Sequence, residues 1–252
     1  MKRSNRILFI VLSCVFAAIL IIGVIFRVSV AYIEHTPNYN LATCDTYVMH
    51  GHCQPLSFNT TTMSPDLKNF NQMSFNGRWD VRIIQGKNYS IKITAASENF
   101  LRHISITKDG DTVYFKMHRA NGNSPAAYAV IQLQLPTQKK LTVSTHGMVK
   151  TLMENIHVEN LELHASGITS MQIVGNKIGN LKIESSGMAD IDLNQLPTQN
   201  AEVHLSGISN VQLNMTGGIL NGDISGMSHI HYQGNTSKIE VDTSGRSSVI
   251  KE

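Results

Sequence analysis

Alternating apolar and polar residues recur in short runs along the second half of the chain. In the stretch LELHASGITSMQI (161–173), Leu161, Leu163 and Ala165 alternate with polar residues, and a second alternating run follows a Ser-Gly pair. A period of two is typical of a strand with one buried face. The pattern returns as LKIESSGMADIDL and AEVHLSGISNVQL, so each unit is predicted to contain two strands and a turn.

Glycines mark the repeat at nearly constant spacing, with intervals of 20, 20, 20, 19 and 19 residues. A unit of this size cannot bury its own apolar face, so neighbouring units must stack. No crossover helix fits between the strands, and the Leu lattice of a leucine-rich repeat is not present. We therefore expect an all-β fold, a parallel and right-handed β-helix with about 20 residues per coil and glycine at its corners. The predicted corners are Gly147, Gly167, Gly187, Gly207, Gly226 and Gly245.

The residues upstream of the repeat, 72–135, predict antiparallel hairpins. WDVRIIQGKNYSIKIT (79–94) contains two alternating runs around Gly-Lys-Asn, and ISITKDGDTVYFKM (104–117) contains two around Asp-Gly. Such short turns between alternating runs are typical of hairpins. AAYAVIQLQLP (126–136) predicts one more strand, and SENFLRHI (97–104) a helical turn.

The N-terminus contains twenty uncharged residues, 7–26, which as a helix would match the ~30 Å core of a bilayer. Three basic residues precede this run and Arg27 follows it, so we expect residues 1–6 in the cytoplasm and the rest of the chain outside. The sequence thus predicts an uncleaved signal anchor in the cytoplasmic membrane. Cleavage after Ala31 and lipidation of Cys14 are alternatives.

Residues 27–67 are rich in turn-forming residues and predict a stalk before a head at 68–252. Cys44 and Cys53 enclose an eight-residue loop, which an oxidising compartment would close as a disulfide. Because His50 and His52 precede Cys53, a zinc or copper site is an alternative.

The order of these elements resembles a known family. MSFNGRWDVRIIQGKNYSIKIT (73–94), a hairpin ending in DTVYFKM and the repeated Ser-Gly coils are similar to the auto-transporter adhesin head GIN domain family, over residues 68–250. The resemblance implies an exported, β-helical protein of the bacterial cell envelope.

Stacking would align side chains of successive units in columns. The column three residues before each glycine contains Ser144, His164, Glu184, His204, Asp223 and Asp242. His164, Glu184 and His204 on adjacent rungs could bind a metal ion. The favoured interpretation is a solvated ladder of unlike neighbours. A second column, one residue before each glycine, predicts a hydrogen-bonding serine ladder: Ser166, Ser186, Ser206, Ser225 and Ser244.

Two carboxylates raise an enzymatic alternative. Asp190 and Asp192 flank an inward Ile191 and would lie about 6.5 to 7 Å apart on one face. Paired carboxylates at that spacing suit a glycosidase, and the alternative function is a polysaccharide-cleaving enzyme. The equivalent positions of neighbouring units are Ser170, Gln172, Asn210 and Gln212, with no cationic partner.

Composition narrows the classes of function. Beyond position 36 the basic and acidic residues are equal in number and form no basic stripe, which argues against nucleic-acid binding. No motif calls for a cofactor. The sequence predicts a non-enzymatic binding or scaffolding protein, adhesin-like, anchored through residues 7–26, with an envelope protein or glycan as its ligand.

Overall fold

The computed structural model describes residues 46–49, 52–55, 61–95, 97–118 and 129–252. The chain divides into two compact units, Met1–Phe58 and Asn59–Glu252. In the first unit, β1 (Thr46–Met49) pairs antiparallel with β2 (His52–Pro55). The predicted anchor, the stub before it, and Cys44 of the predicted disulfide lie outside the described residues. None of the helices in the described ranges has the length and apolarity to cross a membrane.

The second unit is built almost entirely of strands. Its N-terminal part contains β3 (Thr61–Met63), β4 (Gln72–Gly86), β5 (Ser90–Ala95), α1 (Glu98–Leu101), β6 (Ile104–Asp109), β7 (Thr112–Met117) and β8 (Ala129–Pro136). Its C-terminal part contains β9 (Lys140–Ile156), β10 (Asn160–Gly175), β11 (Ile178–Ser185), β12 (Met188–Leu205), β13 (Ile208–Thr216), β14 (Ile219–Ile224), β15 (His229–Asn235), β16 (Lys238–Thr243) and β17 (Ser248–Lys251).

The strands of the C-terminal part stack in parallel as a β-solenoid of about six turns. One run of hydrogen-bonded neighbours is β9, β10, β11, β12, β14 and β16, and the other is β9, β10, β12, β13, β15 and β17. Leu161 pairs with Leu141 on one side and with Leu181 on the other. The sequence distance between paired leucines is the same as the distance between Gly147 and Gly167. The predicted parallel solenoid and its coil length are confirmed.

The coil becomes one residue shorter between Gly207 and Gly226. On one side of the coil β12 and β13 keep the longer interval up to Leu193, and the register then shifts before Pro197. On the other side, Ala201 pairs with Leu220, which is the shorter interval. The irregularity lies in the segment between the two paired sides, so both sides remain in register.

The inward positions of the alternating runs form a continuous core. Leu161, Leu163 and Ala165 are buried, as the alternation predicts. Polar residues inside the solenoid bond to one another: Thr145 and Thr169 hydroxyls lie 2.9 Å apart and the Ser185 and Ser209 hydroxyls 3.0 Å apart. Each fully buried Leu, Ile or Val contributes roughly 1.5 to 3 kcal/mol, so the stacked core is the main source of stability.

The glycine column is confirmed as a stack, but two of its six predicted members are not at breaks between strands. Gly147 lies within β9 and Gly167 within β10, whereas the later repeat glycines fall between strands. What the column shares is close approach: a Cβ on any repeat glycine from Gly167 onwards would meet the carbonyl oxygen of the glycine one coil before it. Steric crowding between coils, and not a strand end, therefore selects glycine.

The solenoid begins earlier than the sequence predicts. β4 pairs in parallel with β9 over Gln72–Ile84, and Gly77 stands opposite Gly147 in the glycine column. Residues 72–86 are therefore the first turn and not part of a hairpin prelude. The long separation of Gly77 and Gly147 along the chain hides this relation, because an insertion follows the first turn.

The predicted hairpin over 79–94 is wrong in its pairing. β4 and β5 are both strands, but β8 lies between them, parallel to β4 and antiparallel to β5. β8 matches β4 over eight residue pairs, more than the six residues of β5 could provide. The β6–β7 hairpin and the strand β8 are confirmed, as is the helical turn α1, whose N-cap is Ser97.

An asparagine ladder, which the glycine alignment did not single out, runs along a second line of the solenoid. The Asn180 amide donates to Asn160 Oδ1 at 2.8 Å, and the Asn200 amide donates to Asn180 Oδ1 at 3.1 Å. Asn200 Oδ1 then accepts the backbone N–H of Ile219. Each amide side chain thus bonds to the next coil, and the ladder repeats at the same interval as the glycines.

We predict that glycine substitutions separate crowding from backbone conformation. Gly207 and Gly217 both have positive φ, 122° and 106°, but only at Gly207 would a Cβ meet the backbone of the preceding coil. Both alanine variants should lose about 1 to 2 kcal/mol for the backbone conformation. Gly207→Ala should lose at least about 1 to 2 kcal/mol more, as measured by urea unfolding. Equal losses in the two variants would show that coil contact at Gly207 does not matter.

Candidate functional site

A shallow open groove of about 350 Å³ crosses four turns of the solenoid. Two of the outward columns line it. We call it the His–Ser groove, and its polar lining is His164, Glu184, His204 and Asp223 with Ser166, Ser186 and Ser206. Parallel pairing positions these side chains, because His164 is opposite Glu184, Glu184 opposite His204, and His204 opposite Asp223.

Glu184 has one polar contact to the preceding turn and one within its own strand. His164 Nδ1 lies 2.9 Å from Glu184 Oε2, and Lys182 Nζ lies 2.8 Å from Glu184 Oε1. The hydrogen bond from Lys182, together with His164, holds the pKa of Glu184 below its ordinary value despite partial burial. Glu184 is therefore a carboxylate with both oxygens engaged.

His204 is held between two carboxylates. Its Nδ1 lies 2.6 Å from Asp223 Oδ1 and its Nε2 lies 2.8 Å from Glu202 Oε1. A neutral imidazole can donate only one of these hydrogen bonds, whereas the protonated ring donates both. Accordingly Glu202, and then Asp223, raises the pKa of His204, more than partial burial lowers it.

The ladder of unlike charges continues beside the groove. Lys140 Nζ lies 2.7 Å from Glu162 Oε1, and the Thr142 hydroxyl donates to Glu162 Oε2 at 3.2 Å. Burial alone would raise the pKa of Glu162, but Lys140 and Thr142 together hold it below its ordinary value. Cation and anion therefore alternate between coils in the column of Glu162, Lys182 and Glu202. In the column of the histidines, Asp223 stands directly opposite Asp242.

The set His164, Glu184 and His204 is not gathered around one point as a metal site would require. His164 contacts Glu184, but His204 contacts Glu202 and Asp223 instead. Across the described part of the chain, no group of three or more His, Cys, Asp and Glu residues could hold a metal ion. Each of the two histidines instead contacts a carboxylate of the following coil, Glu184 for His164 and Asp223 for His204.

Two serines of the groove bond through their side chains to the backbone of the preceding coil. The hydroxyls of Ser166 and Ser206 donate to the carbonyls of Thr145 and Ser185 at 3.4 and 3.3 Å. Ser225, one turn further, donates in the same way to Leu205. These hydroxyls connect one coil to the next. A histidine contacts one of them, since His146 Nδ1 lies 2.5 Å from Ser166 Oγ.

Asp190 and Asp192 lie outside the His–Ser groove and are engaged within the fold. Asn210 donates its side-chain amide to Asp190 Oδ1 at 3.1 Å, and Asp192 Oδ1 accepts the backbone N–H of Asn194 at 3.0 Å. Bonds of this kind hold both carboxylates to neighbouring polar groups of the solenoid.

The column of Asp190 contains two charged residues that the repeat alignment missed. Parallel pairing places Asp80 beside Lys150, Lys150 beside Ser170, and Ser170 beside Asp190. Burial raises the pKa of Asp80, and the charge of Lys150 opposes that rise. The signal for Asp80 was Gly77 three residues before it, the same offset that separates Asp190 from Gly187.

A second depression of about 360 Å³ lies on the inserted segment and the first turn. Arg82, Lys92 and Gln132 contribute polar groups to it, and the Arg82 Nε lies 2.6 Å from Glu154 Oε2. It therefore differs from the His–Ser groove in carrying basic side chains without histidine.

A family model described as "putative auto-transporter adhesin, head GIN domain" matches residues 69–236. The chain belongs to this family. The resemblance that the sequence suggested is confirmed, with the first turn, the insertion and the groove all inside the match.

Solved structures of other bacterial proteins are similar to this head GIN domain. A putative adhesin of Bacteroides fragilis aligns with a TM-score of 0.59 and 14% identity, over 78% of this chain and 98% of its own. A putative lipid binding protein of Parabacteroides distasonis aligns with a TM-score of 0.45 and 18% identity, over 78% and 98% of the two chains. Because so few residues are identical, the first of these likenesses shows the fold alone. No curated protein sequence matches the chain.

The groove of this head GIN domain is suited to binding a polar ligand. It presents imidazole groups, carboxylate acceptors and hydroxyls, spaced by the ~4.8 Å step between coils. Because the side chains are fixed by bonds to neighbouring coils, a ligand need not order them on binding.

Comparison of successive coils does not identify Glu202 as a partner of His204, because the two residues lie on the same strand. Residues two apart on a strand share a face, which is the signal that could have identified this contact.

We predict that the pKa of His204 lies above its ordinary value of about 6.5. Removing either carboxylate partner should lower this pKa towards the ordinary value. Protonated His204 is favoured in the folded chain, so its contribution to stability is complete below about pH 6.5 and is lost as pH rises through the raised folded pKa. Asp223→Asn and Glu202→Gln should each lower the pKa, measured by NMR titration of the ring, with His204→Gln used to assign the signal.

Asp242→Asn serves as the matched control, since Asp242 lies in the same column but one coil beyond Asp223. That variant should leave the titration of His204 unchanged. If all three carboxylate variants shift it equally, general surface charge and not the two contacts sets the pKa.

Proposed function

We propose that this chain is a cell-envelope binding or scaffolding protein, adhesin-like, which engages an envelope protein or glycan through the His–Ser groove. Membership of the adhesin head family supports an exposed position at the cell envelope. The groove is the observation that carries the proposal, since it gathers donors and acceptors from four turns on a rigid support. In this proposal residues 7–26 anchor the chain and the head lies outside the cytoplasmic membrane.

The chemistry of the groove favours a polar, hydroxyl-rich or charged ligand. Its carboxylates can accept hydrogen bonds from hydroxyl or ammonium groups, and Lys182 beside it can donate to an anionic group. Large apolar side chains do not project into it, because Ala165 and Leu205 in its lining face the core and are buried. Specificity in such a site comes from hydrogen-bond placement rather than from apolar area.

Binding, and not turnover, agrees best with the geometry of the acids. Glycosidases need one carboxyl group with a raised pKa as the acid and one carboxylate as the base. In the groove the pKa of Glu184 is lowered and both of its oxygens are engaged. Asp190 and Asp192 accept hydrogen bonds from Asn210 and from the backbone of Asn194.

We predict that the full chain binds either isolated peptidoglycan or some of the bacterial and host polysaccharides of a glycan array. The groove should be the site of this binding. The double variant Glu184→Ala, His204→Ala should weaken binding by roughly tenfold or more, because it removes charge-assisted hydrogen bonds of about 1.5 to 3 kcal/mol each. Binding is measured by fluorescence anisotropy or biolayer interferometry with the selected glycan.

Lys92→Ala, in the second depression, is the control and should bind like the unaltered chain. The reverse result, binding lost with Lys92→Ala and retained in the double variant, would move the site to the second depression. Equal binding by all three chains would exclude both surfaces, and cleavage of the glycan would contradict a binding role.

A further inference from the structure

The last described turn of the solenoid has two strands with one hydrogen-bonded neighbour each. Within the described residues, β16 pairs only with β14 and β17 pairs only with β15. The opposite edge of each strand presents backbone N–H and C=O groups that could pair with a further strand.

The same turn leaves the core column exposed. Ile239 follows Leu220 in the inward column that begins at Leu141, and every earlier member is buried. Ile239 itself is 43% exposed, and Val241 is only partly buried. No described coil covers Ile239 on the side away from β14, and covering this apolar surface would be favourable.

The two free strands differ in how their edges are protected. On β17, Lys251 occupies the inward column, opposite the buried Tyr232. An inward-pointing lysine at a sheet edge opposes pairing with another strand. β16 carries Ile239 and Val241 at the corresponding inward positions. Its three charges, Lys238, Glu240 and Asp242, lie on the outer face. The open edge is therefore β16.

The other end of the solenoid does not offer a matching edge. The first turn, β4, is already paired on its outer side with β7 and β8 of the inserted segment. Stacking a second copy head to tail would need that edge. Contact between two last turns, related by a twofold axis, needs only β16.

We propose that two copies of this chain associate through β16, pairing antiparallel around Ile239. In that register Ile239 meets Ile239 of the second copy, and Lys238 stands opposite Glu240 of the second copy, twice by symmetry. Antiparallel pairing places opposite residues on the same face, so the two apolar residues meet inside and the charges meet outside.

The charges of β16 support this register. Lys238 Nζ and Glu240 Oε1 lie 2.5 Å apart within one chain, and both side chains are more than half exposed. An exposed pair of this kind contributes little by itself. Across the twofold axis the same two residues form two interchain pairs of opposite charge, so the strand is complementary to itself.

The association is tested by sedimentation equilibrium of the full chain in a mild detergent, over a hundredfold range of protein concentration. We expect a monomer–dimer equilibrium without larger species, since the β16 contact closes on itself. Lys238→Glu and Glu240→Lys should each raise the dimer dissociation constant roughly tenfold or more, because each replaces two opposite-charge pairs by two like-charge pairs.

The double variant Lys238→Glu, Glu240→Lys restores opposite pairing and should return the dissociation constant to that of the unaltered chain. Ile239→Lys should abolish the dimer, because two ammonium groups would meet at the axis. Ile250→Lys is the matched control: Ile250 is also 43% exposed, but it lies on the outer face of β17, in line with His231. Circular dichroism confirms that each variant is folded.

A chain that stays monomeric over the whole range would overturn the proposal. So would a dimer that both single charge variants leave unchanged, or species that grow beyond a dimer with concentration. The inference does not rest on ligand binding: a monomer that still binds glycan through the groove would remove the dimer alone, whereas a dimer that binds no probe would remove only the proposed function.

Discussion

The structure depends on the parallel backbone register that brings each coil against the next at the glycine column. At Gly167 the carbonyl of Gly147 lies where a Cβ would stand, and the same crowding repeats to the end of the solenoid. Backbone hydrogen bonds between coils require this approach, and only glycine permits it. Because the column fixes where each coil lies, it also fixes which inward residues meet in the core.

The polar chemistry of the surface follows from the same register. His204 pairs with Asp223 because their strands are aligned by backbone bonds, and the alignment carries serines and asparagines into ladders of their own. The surface is thus ordered by backbone geometry before any side-chain contact forms. Such prior ordering lowers the entropy that a ligand must overcome, and a binding role makes use of it.

The sequence alone predicts most of the repeated part and little of what is inserted. A period of two and the regular glycine interval identify the inward residues of β10 to β13, since each is a local signal repeated several times. The partner of β4 could not be predicted, because Gly77 and Gly147 are separated by the insertion and a strand pattern does not name its neighbour. The columns that form the groove could be predicted from the sequence. Which of the carboxylates Glu202, Asp223 and Glu184 contact His204 depends on side-chain conformation, which the pattern does not give.

The shift of register between Leu193 and Pro197 has a consequence for how such a chain can change its length. The shorter coil loses its residue in the segment between the two paired sides, and Asp223 still stands opposite His204. This segment therefore absorbs the loss of one residue, while the strands that carry the groove stay aligned. Elsewhere in a coil, the loss of one residue would exchange inward and outward side chains along the rest of the strand.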